Sequence, residues 1–177
     1  VPVVKMGVIH PVESYWLHWG PAEQTAMVRD ELDQNFQNLT EWLLFGGVDF
    51  DFISESLLPT QCEKGGAPLA VGHMNYDVIL VPGCETLRAS TMERLEAFAA
   101  AGGKLVFAGQ IPTLVDARPS TRPAELAAKC ECIPLSEGAV LKAAEAARDV
   151  EIRNQSGSLT KNLLYQMRQD GEGRWLF

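Results

Sequence analysis

Two short runs do most to limit what this chain can fold into: Asp77–Val81, ended by Pro82-Gly83, and Lys104–Ala108. Past its first residue each is wholly apolar, and a run of that length and composition suits a parallel strand covered on both faces. Between them, Ser90-Thr-Met-Glu93 has the form of a capping box. It opens a helix whose apolar face includes Met92, Leu95 and Phe98 before Gly102-Gly103 stops it. Strand, helix and strand in this order is the unit from which parallel sheets are built.

The same alternation extends upstream. Val3–Ile9 is rich in β-branched residues and ends at His10-Pro11, where proline has no N–H for a ladder, so it predicts a first strand. A tryptophan-rich loop runs to Gly20. Pro21 suits a first helical turn, and Ala26, Leu32, Phe36, Leu39 and Leu43 keep one face apolar until Gly46-Gly47. Val48–Ile53 alternates polar and apolar residues, which places a strand with one half-exposed face at or near a sheet edge. Ser54–Gly66 reads as loop with room for one helical turn. The expected fold class is α/β: a doubly wound parallel sheet with helices on both faces, whose inner strands are Val3–Ile9, Asp77–Val81 and Lys104–Ala108.

Beyond Ala108, alanine-rich Pro123–Lys129 and Glu137–Ala147 predict helices, with a short strand at Cys130–Ile133 between them. The last thirty residues change character. Val150–Arg153, Leu163–Arg168 and Arg174–Phe177 read as strands, the last two joined by the turn Asp170-Gly-Glu-Gly173. The expected organisation is one α/β domain over residues 1–148 and a β appendage over 149–177. That appendage reads as the start of a following β-rich domain, the alternative being a hairpin packed on the α/β domain.

With 46% apolar residues in 177, the chain can bury one core. A formal charge of -8 and a pI near 4.9 argue against nucleic acid or an anionic membrane as partner, since both would repel it. No apolar run approaches the ~20 residues that cross a bilayer, and no basic stretch followed by an apolar run opens the chain. A cytoplasmic protein, or a piece of a longer one, is the expectation. Cys62, Cys84, Cys130 and Cys132 show no framework spacing and predict reduced thiols. Cys130-Glu-Cys132 lacks the further ligands of a tetrahedral metal site, so no metal is expected there.

In an open parallel sheet, ligands bind at the carboxyl ends of the strands. That rule selects three loops. The first, His10–Gly20, carries His10, Glu13, Tyr15, Trp16, His18 and Trp19; a histidine and a carboxylate there could form an acid/base pair, and tryptophan faces suit sugars or cations. The structural alternative is that Trp16 and Trp19 anchor a long loop while His10 ends a strand. The second loop, Pro82–Thr86, offers Cys84 and Glu85, where a thiol beside an acid invites a nucleophile and burial would make it structural. The third, Gly109–Thr113, offers Gln110. Glu13, Glu55 and Glu85 show no evident pair at glycosidase spacing. No phosphate-binding glycine pattern occurs, so no nucleotide or other cofactor is expected.

The stretch from Tyr76-Asp-Val-Ile-Leu-Val-Pro-Gly-Cys-Glu-Thr-Leu through Met92-Glu-Arg-Leu-Glu-Ala-Phe-Ala-Ala-Ala-Gly-Gly-Lys-Leu-Val-Phe-Ala-Gly resembles the class I glutamine-amidotransferase-like (flavodoxin-like) domain embedded in bacterial glycoside hydrolases. It is similar to the trimerisation domain of family 42 β-galactosidases. The opening Gly7-Val-Ile-His-Pro-Val-Glu-Ser also resembles the start of that domain in large glycosidases. True amidotransferases place a nucleophilic cysteine on the turn after the strand that is here Lys104–Ala108, with a histidine later in the chain. This chain has Ala108-Gly109-Gln110 at that turn and no histidine after His73, so thiol-based glutamine hydrolysis has no chemistry available.

The resemblance implies a non-catalytic accessory or association domain of a glycoside hydrolase, without amidotransferase activity. Its implied partners are neighbouring domains of a longer parent chain, further copies of itself, or carbohydrate bound through Trp16 and Trp19. The rival expectation is a stand-alone small-molecule hydrolase or sensor using the His10–Glu13 loop and Cys84. An association surface further predicts that Trp16, His18 and Trp19 lie on a loop at the carboxyl edge of the sheet, at least one of them exposed.

Overall fold

A computed structural model describes all 177 residues. The first half contains β1 (Met6–Ile9), α1 (Val12–Leu17), α2 (Ala22–Phe45), β2 (Phe50–Ile53), α3 (Leu58–Gln61), and the hairpin β3 (Leu69–Val71) and β4 (Met74–Tyr76). Next come β5 (Val78–Pro82), β6 (Thr86–Leu87), α4 (Ala89–Ala100), β7 (Lys104–Ala108), β8 (Leu114–Val115) and β9 (Arg118–Pro119). The chain closes with α5 (Arg122–Ala127), β10 (Glu131–Ile133), α6 (Glu137–Ala143), a 3-10 turn at Ala144–Ala147, β11 (Met167–Asp170) and β12 (Gly173–Leu176). No helix is long and apolar enough to cross a membrane.

Five strands form one parallel sheet in the order β10-β7-β5-β1-β2. The three inner strands are those expected, and β2 lies at an edge as its alternation predicts. Period-two side-chain direction divides the core between the two faces. Ile79, Val81, Leu105 and Phe107 pack under α3, α4 and α5 through Leu58, Met92, Leu95, Phe98 and Leu126. Val78, Leu80, Met6 and Val8 pack on the opposite face against Leu39 and Leu43 of α2, Val140 of α6, and Ala144 and Ala147 of the 3-10 turn. The apolar stripe of α2 meets the core only through its C-terminal half, and Met27 near its start is 79% exposed.

Several boundaries differ from expectation. The first strand begins at Met6 rather than Val3, because residues 1–3 pair elsewhere: Val3 N–H donates to Met167 O at 3.0 Å and Gln169 N–H to Val1 O at 2.8 Å. The tryptophan-rich loop contains a helix, α1. The capping box does not form, since α4 starts at Ala89 and leaves Ser90 inside the first turn. Its first N–H groups are instead bound from a distance: Arg88 N–H donates to Glu55 Oε2 at 2.8 Å and Ala89 N–H to Asp116 Oδ1 at 3.0 Å. Val150–Arg153 is not a strand. Asn154 Oδ1 accepts N–H bonds from Ser156 and Ser158 and turns the chain there, leaving a single bridge from Arg153 to Leu159. β11 and β12 pair as a terminal hairpin, but its first strand starts at Met167 rather than Leu163 and runs on to Asp170, and the antiparallel pair β3–β4 was not foreseen.

Candidate functional site

The sheet changes direction between β1 and β5: from β1 the chain crosses to β2 on one side, then returns to β5 on the other. Ligands in open α/β sheets sit beyond the carboxyl ends of strands at such a point. Here α1 covers it. Ser14, fully buried, ties α1 down: its Oγ accepts N–H bonds from Glu85 at 2.9 Å and Thr86 at 3.1 Å. With α1 fixed on the segment after β5, its side chains divide between two depressions.

The larger depression, about 340 Å³, lies between α1 and the β8–β9 turn, with Glu13, Trp16, Leu17, Leu87, Arg88 and Asp116 in its walls. Glu13 Oε1 accepts from Arg88 Nε at 2.6 Å. Behind this pair sits Glu55, with no exposed surface. Burial pushes the Glu55 carboxyl up to about 7, against the Arg88 N–H bond that pulls it down; the charge of Glu13 and a hydrogen bond to it push it further up. Glu13 Oε2 and Glu55 Oε1 are both buried with no donor from the rest of the chain. No carboxylate pair was evident in the sequence, and the structure brings these two together. They are close neighbours on one side of the cavity, Glu55 fully buried, rather than two carboxylates facing each other across a sugar-sized cleft, as glycoside hydrolysis requires.

The smaller depression, about 250 Å³, has His18, Glu85, Gly83, Gly109 and Gln110 on one side and α2 on the other. His18 Nε2 meets Glu85 Oε2 at 2.7 Å, both partly exposed. Gly109 has φ +90° and packs its Cα side against Gly83, so the turns after β5 and β7 touch. Gln110 stands on the turn after β7 with an amide that cannot attack a carbonyl. Three sequence candidates from three loops thus meet here.

Others do not meet. His10 does not pair with Glu13: its ring joins a cluster with Phe36 at 5.0 Å and Phe52 at 5.9 Å, and its backbone N–H donates to Ile53 O at the strand end. Cys84 is buried, and burial together with the charges of Glu55 and Glu13 holds its thiol far above the usual range, which removes the thiolate a nucleophile needs. Tyr15 packs on Trp19 at 6.3 Å, and Arg29 covers a face of Trp19 at 5.2 Å. Trp16 lies on α1 rather than on a loop; it is 56% exposed and Trp19 is 70% exposed. His18, which follows α1, is half-buried.

The four cysteines are free, and no three His, Cys, Asp or Glu side chains converge to hold a metal ion. Sequence reasoning weighed Glu55 only as one of three strand-end carboxylates without a pair, and missed Ser14, Arg88 and Asp116. Glu55 follows a strand and was within reach of the carboxyl-end rule, whereas Arg88 and Asp116 carry no local signal. No protein family, no curated protein and no solved structure matches this chain.

Proposed function

We propose that this chain is a non-catalytic association domain of a bacterial glycoside hydrolase, one that meets a neighbouring domain or another copy through the carboxyl end of its sheet. The observation that carries the reading is an apolar surface there: Trp16, Leu17, Trp19, Met27 and Val28, spanning α1 to the start of α2, are between 39% and 79% exposed. Large apolar side chains grouped in this way mark a surface that a partner covers, and a second exposed group stands on the terminal hairpin at Trp175, Leu176 and Phe177. The glycoside-hydrolase context rests on the resemblance of residues 76–109. The finer fold reading belongs with it. Counted along the chain, the five sheet strands run 2-1-3-4-5 with helices on both faces, an order that supports a doubly wound, amidotransferase-like architecture.

The rival reading, a stand-alone hydrolase or sensor, relied on His10 acting with Glu13 and on Cys84 as nucleophile. His10 is engaged with phenylalanines, Glu13 with Arg88, and Cys84 is shut away from substrate. The test has two arms. Purified chain, assayed with glutamine and a panel of chromogenic glycosides, should turn over neither. Sedimentation across a wide concentration range should show self-association that Trp16→Ser/Trp19→Ser weakens. Turnover well above background that Glu13→Gln abolishes would sink the association reading.

A further inference from the structure

The cavity between α1 and the β8–β9 turn has features that an association surface does not need. Its volume, about 340 Å³, falls at the lower end of the roughly 300–1,000 Å³ typical of small-molecule sites. Groups of both charges line it beside an apolar wall of Trp16, Leu17 and Leu87. Each charged group at the rim is held by one atom and open at the rest. Arg88 donates through Nε to Glu13 Oε1, and neither of its Nη groups has a partner in the chain. Asp116 accepts the N–H of Ala89, the residue next to Arg88, on Oδ1 at 3.0 Å, and its Oδ2 has no partner. Asp116 and Ala117 are the two central residues of the β8–β9 hairpin, with φ of 49° and 59° as a two-residue turn of this hand requires. Ala117 N–H donates to Thr86 Oγ1 at 3.1 Å. Pinned at Ala89 and at Thr86, the turn holds the Asp116 carboxylate at the rim, on the same cavity as the open edge of the Arg88 guanidinium.

A ligand matched to this lining carries both charges and an apolar body. A carboxylate fits the open edge of a guanidinium, which offers it N–H donors in a fixed fork. An ammonium fits Asp116 Oδ2, and the net charge of -8 on the chain favours a cation at that end. The apolar wall suits a hydrocarbon side chain, whose burial removes apolar surface from water. An amine alone leaves the Arg88 Nη groups unused, and a carboxylate alone leaves Asp116 unused, so each binds more weakly than a molecule that carries both. We propose that this cavity binds a free zwitterionic amino acid with an apolar side chain. Its carboxylate lies on Arg88 Nη, its ammonium on Asp116 Oδ2, and its side chain against Trp16, Leu17 and Leu87. The site is separate from the depression that holds His18, Glu85 and Gln110. It goes beyond the association role, which requires only that the surface be covered.

Amide NMR titration of the isotope-labelled full chain tests it, with L-leucine and L-phenylalanine as probes. Isoamylamine, which lacks the carboxylate of leucine, and isocaproate, which lacks its ammonium, are the comparators. Saturable shifts at the Arg88, Ala89 and Ala117 amides and at the Trp16 indole N–H are expected with at least one of the two amino acids. Affinity should be about tenfold lower for isoamylamine and for isocaproate. The amino acid should lose about as much in Arg88→Met and in Asp116→Asn, and bind unchanged in Trp19→Ala, which lies outside the cavity. Arg88→Met strips the buried Glu13 of its partner, so where that variant fails to fold, Asp116→Asn decides. Asp116 is exposed, and asparagine still accepts the Ala89 N–H and tolerates positive φ. The proposal is overturned by no saturable shift at these groups at millimolar concentration, by isoamylamine or isocaproate binding as tightly as the amino acid, or by an affinity unchanged in Asp116→Asn. None of these results touches the association reading, which is judged by turnover and sedimentation.

Discussion

Ser14 Oγ accepts the backbone N–H of Glu85 at 2.9 Å, a contact across 71 residues that joins the helix after β1 to the segment after β5. The same oxygen accepts from Thr86. Replacing it with alanine leaves two N–H groups without their partner in a buried setting, at about 1–3 kcal/mol each where water cannot reach them. Ser14→Ala should therefore lower the urea midpoint with an unchanged slope. It should also loosen the His18–Glu85 pair, visible as a changed His18 ring signal by NMR. An unchanged midpoint would remove Ser14 from its anchoring role.

Glu55 makes stability depend on pH. Its carboxyl titrates near 7 in the folded chain and near 4.5 when unfolded, so between those values the folded state holds the extra proton. Stability from this group is intact below about pH 4.5 and is lost as pH rises toward 7, a change on the order of 3 kcal/mol. Glu55→Gln keeps the shape and neutrality of the protonated acid. Chemical unfolding at pH 5 and pH 8 should show the wild type weakening at the higher pH and the variant losing much less. Parallel behaviour of the two proteins would mean that Glu55 is ionised at both.

Adjacent glycines should respond in opposite ways. A Cβ on Gly65 would stand 2.6 Å from Arg94 O and 2.4 Å from Ala97 Cβ, against the backbone of α4, whereas one on Gly66 meets nothing within 4 Å. Helix backbone cannot step aside as a side-chain tip can. Gly65→Ala should cost about 1–3 kcal/mol by overpacking, while Gly66→Ala should be near neutral. Thermal unfolding of the two variants side by side decides it.

Thiol labelling should separate the cysteines. Cys132 is exposed and should react with an aromatic disulfide reagent in the native protein. Cys84, buried and with its thiolate disfavoured, should label only in denaturant. Rapid native labelling of Cys84, identified by peptide mapping, would reopen the nucleophile reading.

The inner sheet was legible because its signals are local. Runs such as Val78–Val81 and Leu105–Ala108 are apolar at every position, and a strand covered on both faces needs that. The site was legible only in part. The carboxyl-end rule selects the loops that carry Glu13, His18, Glu85 and Gln110, but which side chains meet depends on how α1 lies across the sheet. Ser14 decides that, and a lone serine among aromatics carries no pattern. The start of α4 misled for a related reason: Ser90 and Glu93 have capping spacing, yet Glu55 and Asp116 reach its N–H groups first from loops 33 and 27 residues away. β3 and β4 are three residues each, too short for alternation to show.

The pairing of Val1–Val3 with β11 gives the fold a closed outline. The first residues and the terminal hairpin lie in one small antiparallel sheet, with β11 between Val1–Val3 and β12. A short flexible link from Phe177 to Val1 would then cost little loop-closure entropy, and the chain could be reopened in an exposed turn such as that around Gly157. The terminal hairpin would then precede β1 in the polypeptide while every contact in the core stayed where it is. Such a circular permutant is a route to placing fluorophores or fusion partners at the far end of the molecule while leaving the carboxyl end of the sheet uncovered.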